Sequence, residues 1–339
     1  MRKVKLTLLA LARACGLFAL ARRVTRRRLK ILCYHGFAAA DEAEFRPQLF
    51  MRAELFGERM ARLRELGYQV LPLDEAVRRL YEGTLPPDSV AITIDDGFDN
   101  THGLAAPVLA RHGFPATVYV TSYYVLHDAP VFRLFVQYLF WLTRCDLLVI
   151  AGQTWHVDAR VDLRDAASRE RVQNSLIDAG EAATGETERR ALAVWLADAL
   201  GLDHATLERS RRLHLMRPEQ LRALAAMGLS VQLHTHRHRF PIDDQSVVRQ
   251  EIEDNRRALA DWLDGPFEHF CYPSGVWHPR QAAWLDQLGV RSSTTCLPGL
   301  NSRDTPRHGL RRFLDGQNID PLEFESALCG FWDLVRRVR

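Results

Sequence analysis

The chain has 339 residues, 47% hydrophobic and 26% charged, which suits one large α/β domain or two smaller ones. That balance excludes a collagen, a repeat array and a disordered chain. The net charge of +3 hides an asymmetry: residues 1–30 hold ten Lys or Arg and no acid, and the rest carries 35 bases against 42 acids. The basicity belongs to the N-terminus, so it points to a local contact and not to a nucleic-acid-binding body.

Leu6 to Ala21 is apolar except for Thr7 and Arg13, with Arg2, Lys3 and Lys5 before it and Arg22, Arg23, Arg26, Arg27 and Arg28 after. The run is short and interrupted for a membrane-crossing helix. A basic amphipathic helix lying on an anionic membrane surface at the cytoplasmic face fits best. Ala19-Leu20-Ala21 resembles a cleavage site, so an exported or membrane-anchored chain is the second reading. An ordinary packed helix is the third. Six cysteines, at 15, 33, 145, 271, 296 and 329, form no Cys-x-x-Cys pair and read as reduced, mostly buried thiols.

Leu29 to Phe37 reads as a strand ending at His35 and Gly36. Residues 51–66 have helical spacing and stop at Gly67; Tyr68 to Leu71 is a short strand; Asp74 caps a helix that ends near Gly83. Val90 to Ile94 is an apolar, β-branched run that meets Asp95-Asp96-Gly97-Phe98. It reads as a strand buried on both faces. A helix at about 102–112 and a strand from Ala116 to Val120 follow. This alternation predicts a parallel sheet or barrel.

From about 122 to 215 the rhythm changes to mostly helical spacing, with a small hairpin expected within 149–161. That stretch reads as an insertion, a cap or additional core. The α/β rhythm returns with a helix from Pro218, a strand over Ser230 to Thr235, a helix started by Asp243 or Asp244, and a strand from Phe267 to Tyr272. Strands at about 290–296 and 310–314 precede one terminal helix over 321–337.

Four strand ends carry the chemistry. Two adjacent carboxylates at Asp95 and Asp96 repel, and a metal ion or a shared proton would offset the cost. A polar turn is the simpler account of the same residues. His234-Thr235-His236-Arg237-His238 places three imidazoles within five residues, and two His with one carboxylate leave positions open on Zn²⁺. His234 and His236 share a face if the strand continues; His234 and His238 converge if the chain turns after Thr235. Phe270-Cys271-Tyr272-Pro273-Ser274-Gly275 makes a turn whose backbone N–H groups can face a ligand. His35 closes the first strand.

Taken together, Thr93-x-Asp95-Asp96-Gly97-Phe98, His234-Thr235-x-x-His238 and Phe270-x-Tyr272-Pro273-x-Gly275 resemble the motifs of NodB-like polysaccharide deacetylases, over about 29–315 apart from 122–215. The resemblance implies a distorted (β/α) barrel that removes N-acetyl groups from amino sugars with a divalent metal, usually Zn²⁺. The chain then divides into the basic amphipathic segment at 1–28, read from its own residues, and, on the resemblance, a deacetylase domain over 29–339 with a largely helical insertion or cap at about 122–215. Matched motif by motif, Asp96, His234 and His238 would hold the metal and Asp95 would be the general base, leaving His236 outside the ligand set, as a supporting or solvent-facing residue.

Two departures are visible. Many members carry an arginine at the start of the third motif, where this chain reads Phe-Cys-Tyr; Arg312 is the substitute we expect. Members commonly place the catalytic His in a late Leu-x-His motif, absent here, and the Tyr34-His35 strand end resembles the permuted arrangement of some bacterial members. His35 would then be the general acid, and the backbone N–H of Tyr272 an oxyanion donor. The expected substrate is an N-acetylated surface polysaccharide or its lipid-linked precursor, met by a peripheral protein on the inner membrane. The alternative is an inactive, carbohydrate-binding relative, which the missing arginine favours.

Overall fold

A computed structural model of the chain describes residues 2–153, 159–183 and 185–338. The chain divides into two compact units: residues 1–126 with 216–339, and residues 127–215.

The first unit is built on parallel strands. In chain order they are β1 (Lys30–Tyr34), β2 (Gly36–Ala38), β3 (Phe50–Arg52), β4 (Gln69–Val70), β5 (Ser89–Ile94) and β6 (Thr117–Val120). Strands β7 (Leu147–Ile150) and β8 (Ala159–Asp162) belong to the second unit. The first unit resumes with β9 (Ser230–Leu233), β10 (His269–Cys271), β11 (Ser292–Thr294) and β12 (Phe313–Leu314). The main sheet runs β11-β10-β9-β6-β5-β1-β12, and β4 flanks the first half of β5 where β6 flanks the second. Every pair in it is parallel. Leu310, just before β12, bridges in parallel to Thr294 of β11, which draws the two sheet edges together. This is the distorted (β/α) barrel the sequence predicted.

β5 is buried along its whole length and lies in register with β1, from Lys30 opposite Val90 to Tyr34 opposite Ile94. Both strands therefore release their chains at the same end of the sheet. His35 and Asp95 leave side by side because the pairing stops there.

Several boundaries differ from expectation for local reasons. The first strand breaks at His35, and β2 pairs separately with β3. The helix expected to be capped by Asp74 begins at Leu73, with Pro72 at the cap and Asp74 in the first turn. Asp244 does cap its helix, Gln245–Trp262, accepting from the N–H groups of Ser246 and Val247. The single C-terminal helix is two, Pro321–Leu328 and Phe331–Val338, because Gly330 between them has φ +75° and lies against Leu300 and Thr25, where a Cβ would clash.

The N-terminal segment also breaks, at Gly16 with φ +76°, into α1 (Arg2–Ala14) and α2 (Leu17–Thr25). The two helices meet at 76°, and neither is long and apolar enough to cross a membrane alone. They are part of the first unit. Leu9, Ala12, Phe18 and Ala21 pack with Cys329, Leu322, Phe331, Trp332 and Leu334. Thr25 Oγ1 donates to the Cys329 carbonyl at 2.9 Å, and Arg22 pairs with Asp88 at 3.0 Å.

The second unit, taken by itself, is helical with one antiparallel ribbon, β7 with β8. The turn of the expected hairpin lies outside the described residues. Helices Phe132–Leu142, Ala166–Ala182 and Glu186–Ala199 bury Phe135, Leu139, Leu176 and Leu196. Ser122 to Leu126, expected at the start of the insertion, belong to the first unit.

Candidate active site

Four strand exits supply the site. β5 ends at Asp95, whose N–H donates to the Tyr34 carbonyl at 2.9 Å. Asp96 then turns with φ +68° and Gly97 with φ +87°. A Cβ on Gly97 would lie 3.1 Å from a methyl of Val120, so the glycine is needed for the turn and for the approach of β6. The turn rotates the two carboxylates apart. Asp95 points into the barrel, 2% exposed, and Asp96 faces the histidines.

Asp95 is gripped by Arg312. Nη1 donates to Oδ1 and Nη2 to Oδ2, both at 2.7 Å. The other guanidinium hydrogens are also placed: Nε on the Thr295 carbonyl at 2.9 Å, Nη1 on Thr93 Oγ1 at 3.1 Å and Nη2 on Cys271 Sγ at 3.1 Å. All five donors of this fully buried arginine are thus used. Burial pushes the Asp95 carboxyl up, but the Arg312 charge and hydrogen bonds outweigh it and hold the group well below the usual carboxylate range.

His35 Nε2 lies 3.7 Å from Asp95 Oδ2. Its Nδ1 is buried without a hydrogen-bond partner. Burial lowers the His35 pKa, against the opposing pull of Asp95 and Asp96.

Asp96 Oδ1 sits 3.1 Å from His234 Nε2 and 3.5 Å from His238 Nε2. One ligand atom from each residue lies within 4.8 Å of the other two. His234 Nδ1 sits 2.8 Å from the Cys271 carbonyl; it donates there, which leaves Nε2 as the free lone pair facing Asp96. Two imidazole nitrogens and one carboxylate oxygen on one side of a common point suit a divalent cation of the zinc class with open positions. The donor set therefore fits the metal that the motifs imply.

The loop after β9 brings His238 back. Thr235 (φ +65°) and His238 (φ +57°) both adopt the left-handed conformation, so the chain folds and does not continue as a strand. Asp96, Thr235, His238 and Ser274 are four of the seven non-glycine residues with positive φ among the described residues, and all four lie in the three motifs. Backbone strain is concentrated where the site is made. His236 is buried, with Nδ1 2.9 Å from Ser122 Oγ; it is a buttress and not solvent-facing.

Tyr272 corrects an expectation. Its N–H donates to the Thr294 carbonyl at 3.2 Å, continuing the β10–β11 ladder, and so is not available to an oxyanion. Its hydroxyl donates to the His308 carbonyl at 2.9 Å and its ring packs against Phe240, Phe270 and Trp277.

Sequence reasoning missed four supporting residues. Cys271 and Cys33 place their thiols 3.2 and 3.5 Å from Asp95 Oδ2. Asn255 Oδ1 accepts from the His234 N–H at 3.0 Å, while its amide donates to the Val120 carbonyl and Ser122 Oγ. Glu251 accepts from the Arg237 N–H at 2.6 Å. Asn255 left a signal: it interrupts the buried stripe of Val248, Ile252 and Leu259, where an apolar residue is expected.

Residues 188–293 match the family model for polysaccharide deacetylase, a segment holding His234, His238 and the Tyr272 turn. That segment is similar to the polysaccharide deacetylases. The Asp95-Asp96 strand lies outside that segment. A Bacillus subtilis (strain 168) protein, YxkH, a polysaccharide deacetylase by name, is 31% identical over 101 residues, which cover 30% of this chain and 34% of that relative's length. The Streptococcus pyogenes deacetylase PplD, solved with acetate, superposes with a TM-score of 0.59 at 17% identity, covering 89% of this chain and 98% of that one. IcaB from Ammonifex degensii gives 0.56 at 17% identity over 89% and 97% of the two chains. At these identities the structural likeness speaks to the fold.

Proposed function

We propose that this protein belongs with the polysaccharide deacetylases and is a divalent-metal-dependent carbohydrate N-deacetylase, a hydrolase of the amide bond of an N-acetylated amino sugar. One observation carries the reading: Asp96, His234 and His238 converge beside a carboxylate, Asp95, that a buried arginine holds by two hydrogen bonds. Adjacent acids have been given different environments, which is how one site obtains a ligand and a base from the same residue type.

When bound by Asp96, His234 and His238, a cation such as Zn²⁺ supplies Lewis acidity toward the acetamide carbonyl and toward water. Asp95, ionised and fixed by Arg312, accepts the proton of the attacking water. The fork that orients Asp95 also lowers its proton affinity, so it holds that proton only in passing. His35, 3.7 Å from Asp95 on the neighbouring strand end, donates the proton that lets the amine depart. The acetyl C–N bond breaks, and acetate and a free amino sugar leave.

Arg312 weakens the alternative of an inactive carbohydrate-binding relative. That reading rested on the arginine missing from the third motif, and an arginine is present at the carboxylate it would have served. The substrate we propose is an N-acetylated surface polysaccharide or its lipid-linked precursor, met at the cytoplasmic face of the membrane. The test is acetate release from N-acetylglucosamine oligomers by purified protein of known metal content. Activity that chelation abolishes, Zn²⁺ restores and Asp95→Asn reduces by about 10²- to 10⁴-fold supports the reading. Sugar binding without acetate release from any N-acetylated substrate would sink it.

A further inference from the structure

Each N-terminal helix has two apolar faces. One is used: Leu9 and Ala12 of α1, with Phe18 and Ala21 of α2, are buried against the C-terminal helices. The other is not. Val4, Leu8 and Leu11 recur at helical spacing on α1, and Leu17, Leu20 and Val24 on α2, each 43–63% exposed. At 3.6 residues per turn these stripes lie about a third of a turn round from the buried ones. Amphipathicity alone therefore does not account for the sequence, because the amphipathic face is spent on the protein.

The charges around the exposed stripes have one sign. Residues 1–30 contain no acid. Lys5, Arg13 and Arg22 are tied to Glu323, Glu325 and Asp88 of the body. Lys3, Arg23, Arg26 and Arg27 are exposed, with no side-chain partner among the described residues.

We propose that α1 and α2 form a fixed interfacial wedge that docks the folded domain on an anionic phospholipid bilayer. The six aliphatic side chains enter the acyl boundary and Lys3, Arg23, Arg26 and Arg27 meet the headgroup phosphates. Charge complementarity selects this occupant over a second copy of the chain, whose matching face would carry the same positive charge. The packing of Leu9 and Phe18 selects it over a spanning or cleaved segment, either of which would strip the apolar cover from Phe331, Trp332 and Leu334. The proposal does not depend on the catalytic reading.

The test is co-sedimentation of the full chain with phosphatidylcholine vesicles, with and without phosphatidylglycerol. Partition is expected to be more than about tenfold stronger with phosphatidylglycerol and to weaken as salt is raised. Replacing Leu8, Leu11, Leu20 and Val24 by Ser, or Arg23, Arg26 and Arg27 by Gln, should each reduce it more than about tenfold. These side chains are exposed, so circular dichroism should show both variants folded. Equal partition onto neutral and anionic vesicles would overturn the proposal. So would binding that neither variant changes, or self-association without vesicle binding.

Discussion

At the scale of the residue, the Asp95–Arg312 pair decides whether the site is a catalyst. Both groups are desolvated, so each depends on the other for compensation. Arg312→Met leaves a buried carboxylate unpaired and should destabilise the domain by about 3–5 kcal/mol. Adding Asp95→Asn removes the stranded charge, so the double variant should be more stable to urea than Arg312→Met alone while still releasing no acetate. If it is no more stable, Arg312 does not act through Asp95. Arg312→Lys keeps the charge but not the planar fork, and should lose most activity. The ligand set makes a separate prediction. His238→Ala should bring bound zinc well below one equivalent by mass spectrometry, and Asp95→Asn should leave it near one, because Asp95 is held by the Arg312 fork while Asp96 is the carboxylate that meets both histidines.

At the scale of the element, the strand ends were legible and their connections were not. Asp95-Asp96-Gly97, His234 to His238 and His35 could be read because each signal is contiguous and closes an apolar run. Arg312 was reached only through the resemblance, as the substitute for a missing motif arginine, and its fork joins residues 217 apart; the thiol of Cys271, which reaches Asp95 across 176, was not foreseen, because both contacts depend on sheet closure, which local pattern does not encode. The break of the N-terminal segment at Gly16 was hidden because glycine inside an apolar run does not announce its φ. What that segment packs on was hidden for a stronger reason, since its apolar partners lie near the other end of the chain, at Leu322 to Leu334. That packing yields a prediction. Phe18 is 7% exposed and packs on Phe331 with tilted rings whose centroids are 5.4 Å apart, so Phe18→Ala should cost about 3–5 kcal/mol in denaturant unfolding. A segment that only rides on the domain would show no change. Gly36 is a second test of an element. A Cβ there would lie 2.3 Å from the Phe50 ring, which packs on Phe98 of the Asp-Asp-Gly-Phe turn. Gly36→Ala should cost about 1–3 kcal/mol, and it should lower the turnover number as well, because Phe98 belongs to the Asp95 turn and Gly36 directly follows His35.

At the scale of the whole molecule, the charge asymmetry of the sequence is resolved by where the basic segment meets an acidic body. Lys30 stands at that junction. It opens β1, is 2% exposed, and donates to the carbonyls of Thr25 and Arg28 at 3.3 and 3.1 Å, with Asp88 4.0 Å away. Asp88 is shared, since Arg22 already holds its other oxygen at 3.0 Å. Burial, aided by the charges of Arg22 and Arg28 and opposed by Asp88, lowers the Lys30 pKa to about 8 from 10.5. Between those two values the unfolded chain binds this proton and the folded chain does not, so the Lys30 contribution to unfolding free energy rises with pH across that window. Below pH 8 both states are protonated and the full cost of burying the charge is present; above 10.5 it is gone. A shift of that size corresponds to roughly 3 kcal/mol at the limit. Lys30→Met, which keeps the stem and removes the charge, should therefore make the slope of urea midpoint against pH between 8 and 10 less positive than in the wild type, the buried thiols acting with the opposite sign in both proteins. It should also stabilise the protein at pH 7, where the wild-type amine is charged. If the variant is less stable at pH 7 than the wild type, the hydrogen bonds to Thr25 and Arg28 outweigh desolvation, and the ammonium is what fastens α2 to the barrel.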